Sequence, residues 1–118
     1  MPLYVGLMSG TSLDGVDAVL ARLEDSDCGL RCSLLAHRHA ALPAELRDVL
    51  ATLNHRGDDE LQRAALATRA LIDLAADAVA CVLTDVGVAA ADVRAIGSHG
   101  QTVRHCPPGP GVGSPYTV

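Results

Sequence analysis

Lysine, phenylalanine and tryptophan are absent from this sequence of 118 residues, and tyrosine occurs only twice. Without large aromatic side chains, a core must be built from Leu, Val, Ile and Ala, and the many Ala residues bury little apolar area each. All nine basic residues are arginines, scattered along a chain whose net charge is −5. Nucleic-acid binding typically uses a basic stripe and stacking aromatic residues, so the composition excludes that class of partner.

Long apolar runs are also missing from the sequence. A membrane-spanning helix needs about 18 or more consecutive apolar residues. The longest uncharged opening, residues 1–13, is shorter, is interrupted by Ser, Gly and Thr, and lacks the basic start of a signal peptide. We therefore expect a cytoplasmic protein that does not bind membranes.

Four cysteines, at positions 28, 32, 81 and 106, raise the question of a metal site or a disulfide. Cys28 and Cys32 lie near His37 and His39 in the sequence. Zinc ligands usually come in close pairs on two separate turns, whereas Cys32 and both histidines lie on one strand-like run. Disulfides are rare in the cytoplasm. We expect neither a structural metal nor a disulfide.

The apolar pattern predicts an α/β chain that opens with an antiparallel meander. Three strand patterns occupy residues 3–8, 16–23 and 30–40. Short polar turns separate them, so consecutive strands are expected to pair antiparallel.

Two helices are expected after the meander. Pro43 starts the first, at residues 44–53, because proline in the first turn of a helix sacrifices no hydrogen bond. Asp58 or Asp59 is the predicted N-cap of the second helix, and Gly87 ends it. The apolar stripe predicted for this helix consists of Leu61, Ala65, Thr68, Ile72, Ala75, Val79, Val82 and Val86.

The remainder of the chain predicts one further strand and a loop. Residues 89–93 are typical of a short helical turn, and residues 95–98 of the end of a buried strand. The Pro/Gly-rich residues 106–115 predict a surface loop or hairpin connection. A strand pattern resumes at residues 116–118, so we interpret the chain as part of a longer protein.

The segment between the first two strands, GLMSGTSLDGVD at residues 6–17, brings backbone amides and hydroxyls to one point. Such a concentration of donors suits a polyphosphate. Asp14 and Asp17 add carboxylates, which suit a phosphate that carries Mg²⁺. The segment is neither a Walker A motif, which needs lysine, nor a dinucleotide fingerprint. It is either a phosphate hairpin of the actin, sugar-kinase and Hsp70 kind or an ordinary tight hairpin.

A second polar block, IGSHGQTVRH at residues 96–105, follows the last predicted strand. Ligands of α/β sheets bind at the carboxyl ends of strands. The candidates for contacts with such a ligand are Ser98, His99, Gln101 and Thr102. Alternatively, His99 and Gln101 only hold the loop through backbone hydrogen bonds. Arg104 can pair with a substrate carboxylate, although an exposed, solvated arginine is the simpler expectation.

Together and in this order, the two blocks resemble the signatures of the anhydro-N-acetylmuramic acid kinase family. The resemblance covers essentially the whole chain but only the first part of the family's longer chain. It implies that residues 1–118 are the N-terminal part of an actin-like ATPase domain, with a ribonuclease H-like fold. It also implies an enzyme that uses ATP and water to convert 1,6-anhydro-N-acetylmuramic acid to N-acetylmuramic acid 6-phosphate, in peptidoglycan recycling.

The same resemblance assigns roles to individual residues. The phosphate-binding set is Gly10, Thr11, Ser12, Leu13, Asp14, Gly15, Val16 and Asp17. Asp14 is in addition the candidate ligand of Mg²⁺. The catalytic base is expected beyond residue 118, so residues 1–118 alone are expected to be inactive. The implied partners are ATP and the anhydro amino sugar, and the full-length protein is a candidate homodimer.

Two other functions stay open. Another sugar kinase or an ATPase chaperone can carry the same hairpin, although neither requires the His99 block. A small, non-enzymatic binding module is the second alternative. The sequence offers such a module no basic or aromatic surface for a partner.

Overall fold

The computed structural model describes residues 2–118, which form a mixed β-sheet with two helices on one face. The strands are β1 (Leu3–Ser9), β2 (Gly15–Ser26), β3 (Gly29–Ala41), β4 (Val93–Ser98), β5 (His105–Cys106) and β6 (Tyr116–Thr117). The helices are α1 (Ala44–Leu53) and α2 (Glu60–Val86), and a 3-10 turn spans Ala90–Asp92. Strands β1 to β4 make one sheet in the order β3-β2-β1-β4, and β5 pairs with β6. The predicted α/β class is confirmed.

The first three strands form the expected antiparallel meander, and they are longer than the sequence pattern indicated. Strands β2 and β3 stay paired out to Ser26 and Gly29. Gly29 has φ of 110°, which glycine adopts without strain, and the Ser26 hydroxyl donates to its carbonyl at 2.6 Å. These two features close the hairpin tightly and extend its ladder.

Strand β4 runs parallel to β1, because the two helices between them carry the chain back to the starting end of the sheet. The expectation that residues 95–98 are buried was wrong. Within residues 2–118, β4 pairs only with β1 and lies at the edge of the sheet, and Ile96 is 55% exposed. Apolar sequence predicted the strand correctly but not its position in the sheet.

Helices α1 and α2 bury the core against one face of the sheet. The core has two clusters, one around Val16, Leu42, Leu46, Leu50, Leu53 and Ala67 and the other around Val5, Ala18, Leu20, Ala78 and Val82. Strand β2 contributes alternate residues to both clusters, as expected for a strand with one buried face. The small side chains of Ala67 and Ala78 let α2 pack closely against α1 and the sheet.

The buried side of α2 differs from the predicted stripe. Of that stripe only Val82 is fully buried, whereas Leu61 and Ile72 are 89% and 60% exposed. The predicted face is offset from the buried one by about one residue, because α2 is apolar on more than one side.

Both ends of α2 lie at predicted residues, but only the C-terminal end has the expected geometry. Gly87 ends the helix with φ of 73°, as predicted. Asp59 precedes the helix in a left-handed conformation, with φ of 53°, and its side chain makes no capping hydrogen bond. Asp59 thus occupies the predicted N-cap position, but without the hydrogen bond of a capping side chain. Neither α1 nor α2, the two α-helices of residues 2–118, combines the length and the apolar character that a membrane span requires.

Candidate functional site

The predicted phosphate hairpin is the connection between β1 and β2. The Leu13 amide donates to the Gly10 carbonyl at 3.2 Å, and Leu13 itself has φ of 57°. The Leu42 amide, at the end of β3, donates to the Asp14 carbonyl at 3.3 Å. The loop is thus closed on itself and fastened to the neighbouring strand, so its shape is set by the sheet.

The residues of the hairpin divide into an exposed group and a structural group. Thr11, Ser12 and Asp14 are exposed. The Thr11 and Ser12 amides make no backbone hydrogen bond within residues 2–118, and they are therefore free to donate to a ligand. Leu13 and Val16 instead belong to the apolar cluster beneath α1. The two groups explain the mixed composition of the loop, since one holds it in place while the other faces solvent.

The second motif lies beside this hairpin, because β1 and β4 are adjacent parallel strands whose carboxyl ends meet at one edge. Leu7 is opposite Ser98 in the register, so Ser9 and Gln101 both follow that edge. The Ser9 hydroxyl, which is buried, donates to Oε1 of Gln101. This bond joins two motifs that are 92 positions apart in the sequence.

The other residues of the second motif form an open loop. Gly100 has φ of 75°, and its amide donates to the Ser98 hydroxyl at 3.2 Å. Nε2 of Gln101 donates to the Thr102 carbonyl at 3.0 Å. His99 is exposed. Gln101 therefore holds the loop through a backbone hydrogen bond, and contact of the exposed His99 with a ligand stays a prediction.

A cavity of about 670 Å³ opens next to the contact between the motifs, between α2 and the sheet. Its walls are mainly apolar, and Leu7, Ile72, Val79 and Ile96 contribute to them. Ser9, Ser98 and Gln101 supply polar groups. The cavity lies at the carboxyl ends of β1 and β4, which is where α/β sheets bind ligands.

Asp17, the last residue of the first motif, contacts two histidines of β3. Nε2 of His37 lies 2.8 Å from Oδ1 of Asp17, and Nδ1 of His39 lies 3.1 Å from the same oxygen. The hydrogen bond from His37, followed by that from His39, lowers the pKa of Asp17 against the opposing effect of partial burial. The Asp17 carboxylate is therefore charged at neutral pH and bound to its own protein.

Arg104 differs from both expectations for it, since it neither faces the open site nor projects into solvent. It is half-buried and donates to the Leu53 carbonyl at 2.7 and 2.9 Å and to the His55 carbonyl at 2.8 Å. It also pairs with Glu60, and this hydrogen bond lowers the pKa of Glu60 and raises that of Arg104. Arg104 therefore joins the end of α1 to the start of α2, where a cation suits the free carbonyls.

Sequence reasoning included Ser9 in the first motif but missed its contact with Gln101, and it missed His37 and His39 as parts of this region. The alternate spacing of the two histidines on a strand was a usable signal, because it places both rings on one face of the sheet. Their partner Asp17 depends on the register between β2 and β3, which sequence does not give. Within the described residues 2–118, no group of three or more His, Cys, Asp or Glu side chains could hold a metal ion.

Comparisons with known proteins agree on one family. The family model described as anhydro-N-acetylmuramic acid kinase matches residues 2–117. Among curated proteins, the chain is 53% identical over 105 residues to the anhydro-N-acetylmuramic acid kinase of Bordetella pertussis, covering 89% of this chain and 27% of that protein. It is 50% identical to the enzyme of that name from Variovorax paradoxus, with the same shares of both chains covered.

A third relative extends the agreement to another genus. The anhydro-N-acetylmuramic acid kinase of Pseudomonas paraeruginosa is 49% identical over 107 residues, which cover 91% of this chain and 28% of that protein. The chain thus spans little more than a quarter of the length of the curated relatives it matches. A family-model match over residues 2–117 establishes that the chain belongs to the anhydro-N-acetylmuramic acid kinase family.

Proposed function

We propose that the protein carrying this sequence is an ATP-dependent kinase that acts on 1,6-anhydro-N-acetylmuramic acid. The products are N-acetylmuramic acid 6-phosphate and ADP, and the reaction serves the recycling of peptidoglycan in the cytoplasm. Membership of the kinase family supports this proposal. The mixed sheet with an opening meander is also what the first part of an actin-like ATPase domain of ribonuclease H-like fold would contain.

One observation carries the proposal: the hydrogen bond from Ser9 to Gln101. It holds the hairpin and the His99 loop side by side at the carboxyl ends of adjacent parallel strands. A kinase must bring a phosphate donor and a sugar acceptor within bonding distance, because most of its catalysis is positioning and charge stabilisation. Two neighbouring loops of different chemistry meet that need.

The exposed part of the hairpin fits a magnesium nucleotide. The free amides of Thr11 and Ser12 can donate to phosphate oxygens, and their hydroxyls add further donors. Asp14 is exposed, and a carboxylate is a suitable ligand for Mg²⁺. Gly10, at the start of the loop, is exposed, and a Cβ there would contact only Ser12 Oγ, at 3.7 Å. In this proposal Mg-ATP supplies the phosphoryl group, and the hairpin orients it.

The proposed acceptor side is the loop of Ser98, His99, Gln101 and Thr102. His99 is exposed beside the hairpin and can hydrogen-bond a sugar hydroxyl. Gln101 acts mainly through Ser9, by fixing the distance between the loops. The adjacent cavity of about 670 Å³ has apolar walls that suit the less polar parts of an amino sugar derivative.

The chemistry requires a base that these residues do not supply. Water adds to the anomeric carbon, the bond from that carbon to the bridging oxygen breaks, and the oxygen receives the phosphoryl group. A carboxylate must accept the proton of the water. Asp14 belongs to the phosphate side, and Asp17 is bound by two histidines. We therefore expect residues 1–118 alone to show no turnover.

The test uses the longest natural reading frame that carries this sequence. The purified protein is incubated with Mg-ATP and 1,6-anhydro-N-acetylmuramic acid, and the sugar is followed by mass spectrometry. A product that has gained one water and one phosphate supports the proposal. Hydrolysis of ATP with an unchanged sugar would point instead to another ATPase of the actin-like group. The variant Asp14→Ala should abolish turnover, whereas Asp48→Ala, an exposed aspartate of α1, should leave it unchanged.

A further inference from the structure

Two histidines of one strand share a single carboxylate of the hairpin motif. His37 and His39 are alternate residues of β3, so both rings project from the same face of the sheet. His39 is directly opposite Asp17 in the register. Both rings contact Oδ1 of Asp17: Nε2 of His37 lies 2.8 Å from this oxygen, and Nδ1 of His39 lies 3.1 Å from it. The arrangement is therefore a defined cluster of three side chains.

This cluster lies on the face of the sheet that the helices do not cover. In β2, Val16 and Ala18 are buried towards the helices, so Asp17 between them projects from the opposite face. Ser9 follows Val5 by four positions on β1, so the two side chains lie on the same face of the sheet, and both are buried against the helices. The Asp17 carboxylate and the contact between the two motifs are consequently on opposite sides of the sheet.

The ring of His39 also lies against the end of the hairpin loop. A Cβ placed on Gly15 would be 2.8 Å from both Cε1 and Nε2 of His39. The Nδ1 edge of the ring is bonded to Asp17, while the other edge packs over the Gly15 backbone. Asp17 and Gly15 are therefore held by the same imidazole, which covers the point where the loop enters β2.

From this geometry we infer that His39 is a positioning residue for the phosphate hairpin, and that Asp17 holds the His39 ring, with His37 bracing Asp17. The role of Asp17 is then structural support of the loop rather than contact with phosphate or metal. The inference rests on the proposed function for its link to nucleotide binding. The lowered pKa of Asp17 supports an ionised carboxylate as the common acceptor for both rings.

The experiment compares leucine variants with variants that keep one donor. His39→Leu removes the Nδ1 donor, whereas His39→Asn retains an N–H group near that position. In the same way, His37→Gln retains an N–H group near the position of Nε2. Arg31→Leu is the control, because Arg31 is an exposed residue of the same strand, paired with Glu24 far from the hairpin. KM for Mg-ATP, kcat and the melting temperature are measured for each variant in the full-length protein.

His39→Leu is expected to raise KM for Mg-ATP about tenfold, since the loop loses its preset position. His39→Asn keeps a donor for Asp17 but lacks the ring edge over Gly15, so it should recover only part of this loss. Arg31→Leu should match the wild type. Equal melting temperatures of His39→Leu and Arg31→Leu would show that the rise in KM comes from lost positioning and not from lost stability. An unchanged KM in His39→Leu would overturn the inference.

Amide hydrogen exchange separates this inference from the proposed function. Exchange of the peptide covering residues 10–17 is measured without substrate, so it does not depend on activity. Faster exchange in His39→Leu, with wild-type exchange in Arg31→Leu, supports the positioning role even if the wild type proves inactive on the sugar. Equal exchange in all variants contradicts it, even if the wild type is an active kinase.

Discussion

A methyl group at position 15 would collide with the backbone of β3. The Cβ of alanine there would lie 2.2 Å from the Ala40 carbonyl oxygen. Relaxed C···O contacts are about 3.3 Å or longer, so one strand would have to move by about 1 Å. The moving atoms belong to the paired ladder in which Gly15 is opposite Ala41, and the neighbouring Leu42 amide bonds to Asp14.

The cost of this collision can be worked out from its parts. Overpacking of a tight site costs about 1–3 kcal/mol, and loss of one ladder hydrogen bond adds about 1 kcal/mol. Replacing glycine by alanine also restricts the unfolded chain, which raises the free energy of unfolding by about 0.4–1 kcal/mol and offsets part of this cost. From the middle of these ranges, we expect Gly15→Ala to lower the free energy of unfolding by about 2–3 kcal/mol.

Thermal unfolding followed by circular dichroism measures this loss, with Gly97→Ala as the matched control. Gly97 is also in the sheet, but a Cβ there would have no atom within 4 Å. For a chain of this size, a loss of 2–3 kcal/mol lowers the melting temperature by roughly 6–15 °C. Gly97→Ala should change it by only a few degrees. Equal melting temperatures for the two variants would refute the steric argument.

Two further predictions concern the core and the ion pair at the end of α1. Leu20 is fully buried, so Leu20→Ala should cost about 2–5 kcal/mol in denaturant unfolding, whereas Leu61→Ala, at an 89% exposed position, should cost less than about 0.5 kcal/mol. Arg104 lowers the pKa of Glu60 from its ordinary value of 4.5, so this pair stabilises the fold above that value and less as pH falls through the lowered pKa. The melting-temperature difference between wild type and Glu60→Gln should therefore shrink as the pH falls below 4.5; a constant difference would contradict the pairing.

The meander and α1 could be predicted because their signals are local. Turn residues separate the strands, and Pro43 and Gly87 mark helix ends through their own backbone preferences. The sequence also identified both polar motifs, since each follows an apolar strand. These features depend on a few neighbouring residues, and sequence carries that information directly.

Features that depend on packing could not be predicted. The buried face of α2 was placed wrongly because Leu61 and Ile72 are as apolar as the residues that are buried. The solvent exposure of β4 depends on the strand order of the sheet. The contacts of Arg104 with α1 and of Asp17 with β3 join residues that are far apart in sequence. Such pairs have no local signal.

The claim that the hairpin and the His99 loop form one ligand site can be tested by amide hydrogen exchange on the full-length protein. Exchange is compared with and without Mg-ATP and 1,6-anhydro-N-acetylmuramic acid, and peptides covering residues 10–15 and 98–102 are followed. The account predicts that both segments become protected when the two ligands are present together. Protection of neither segment, or of only one of them with both ligands bound, would contradict it.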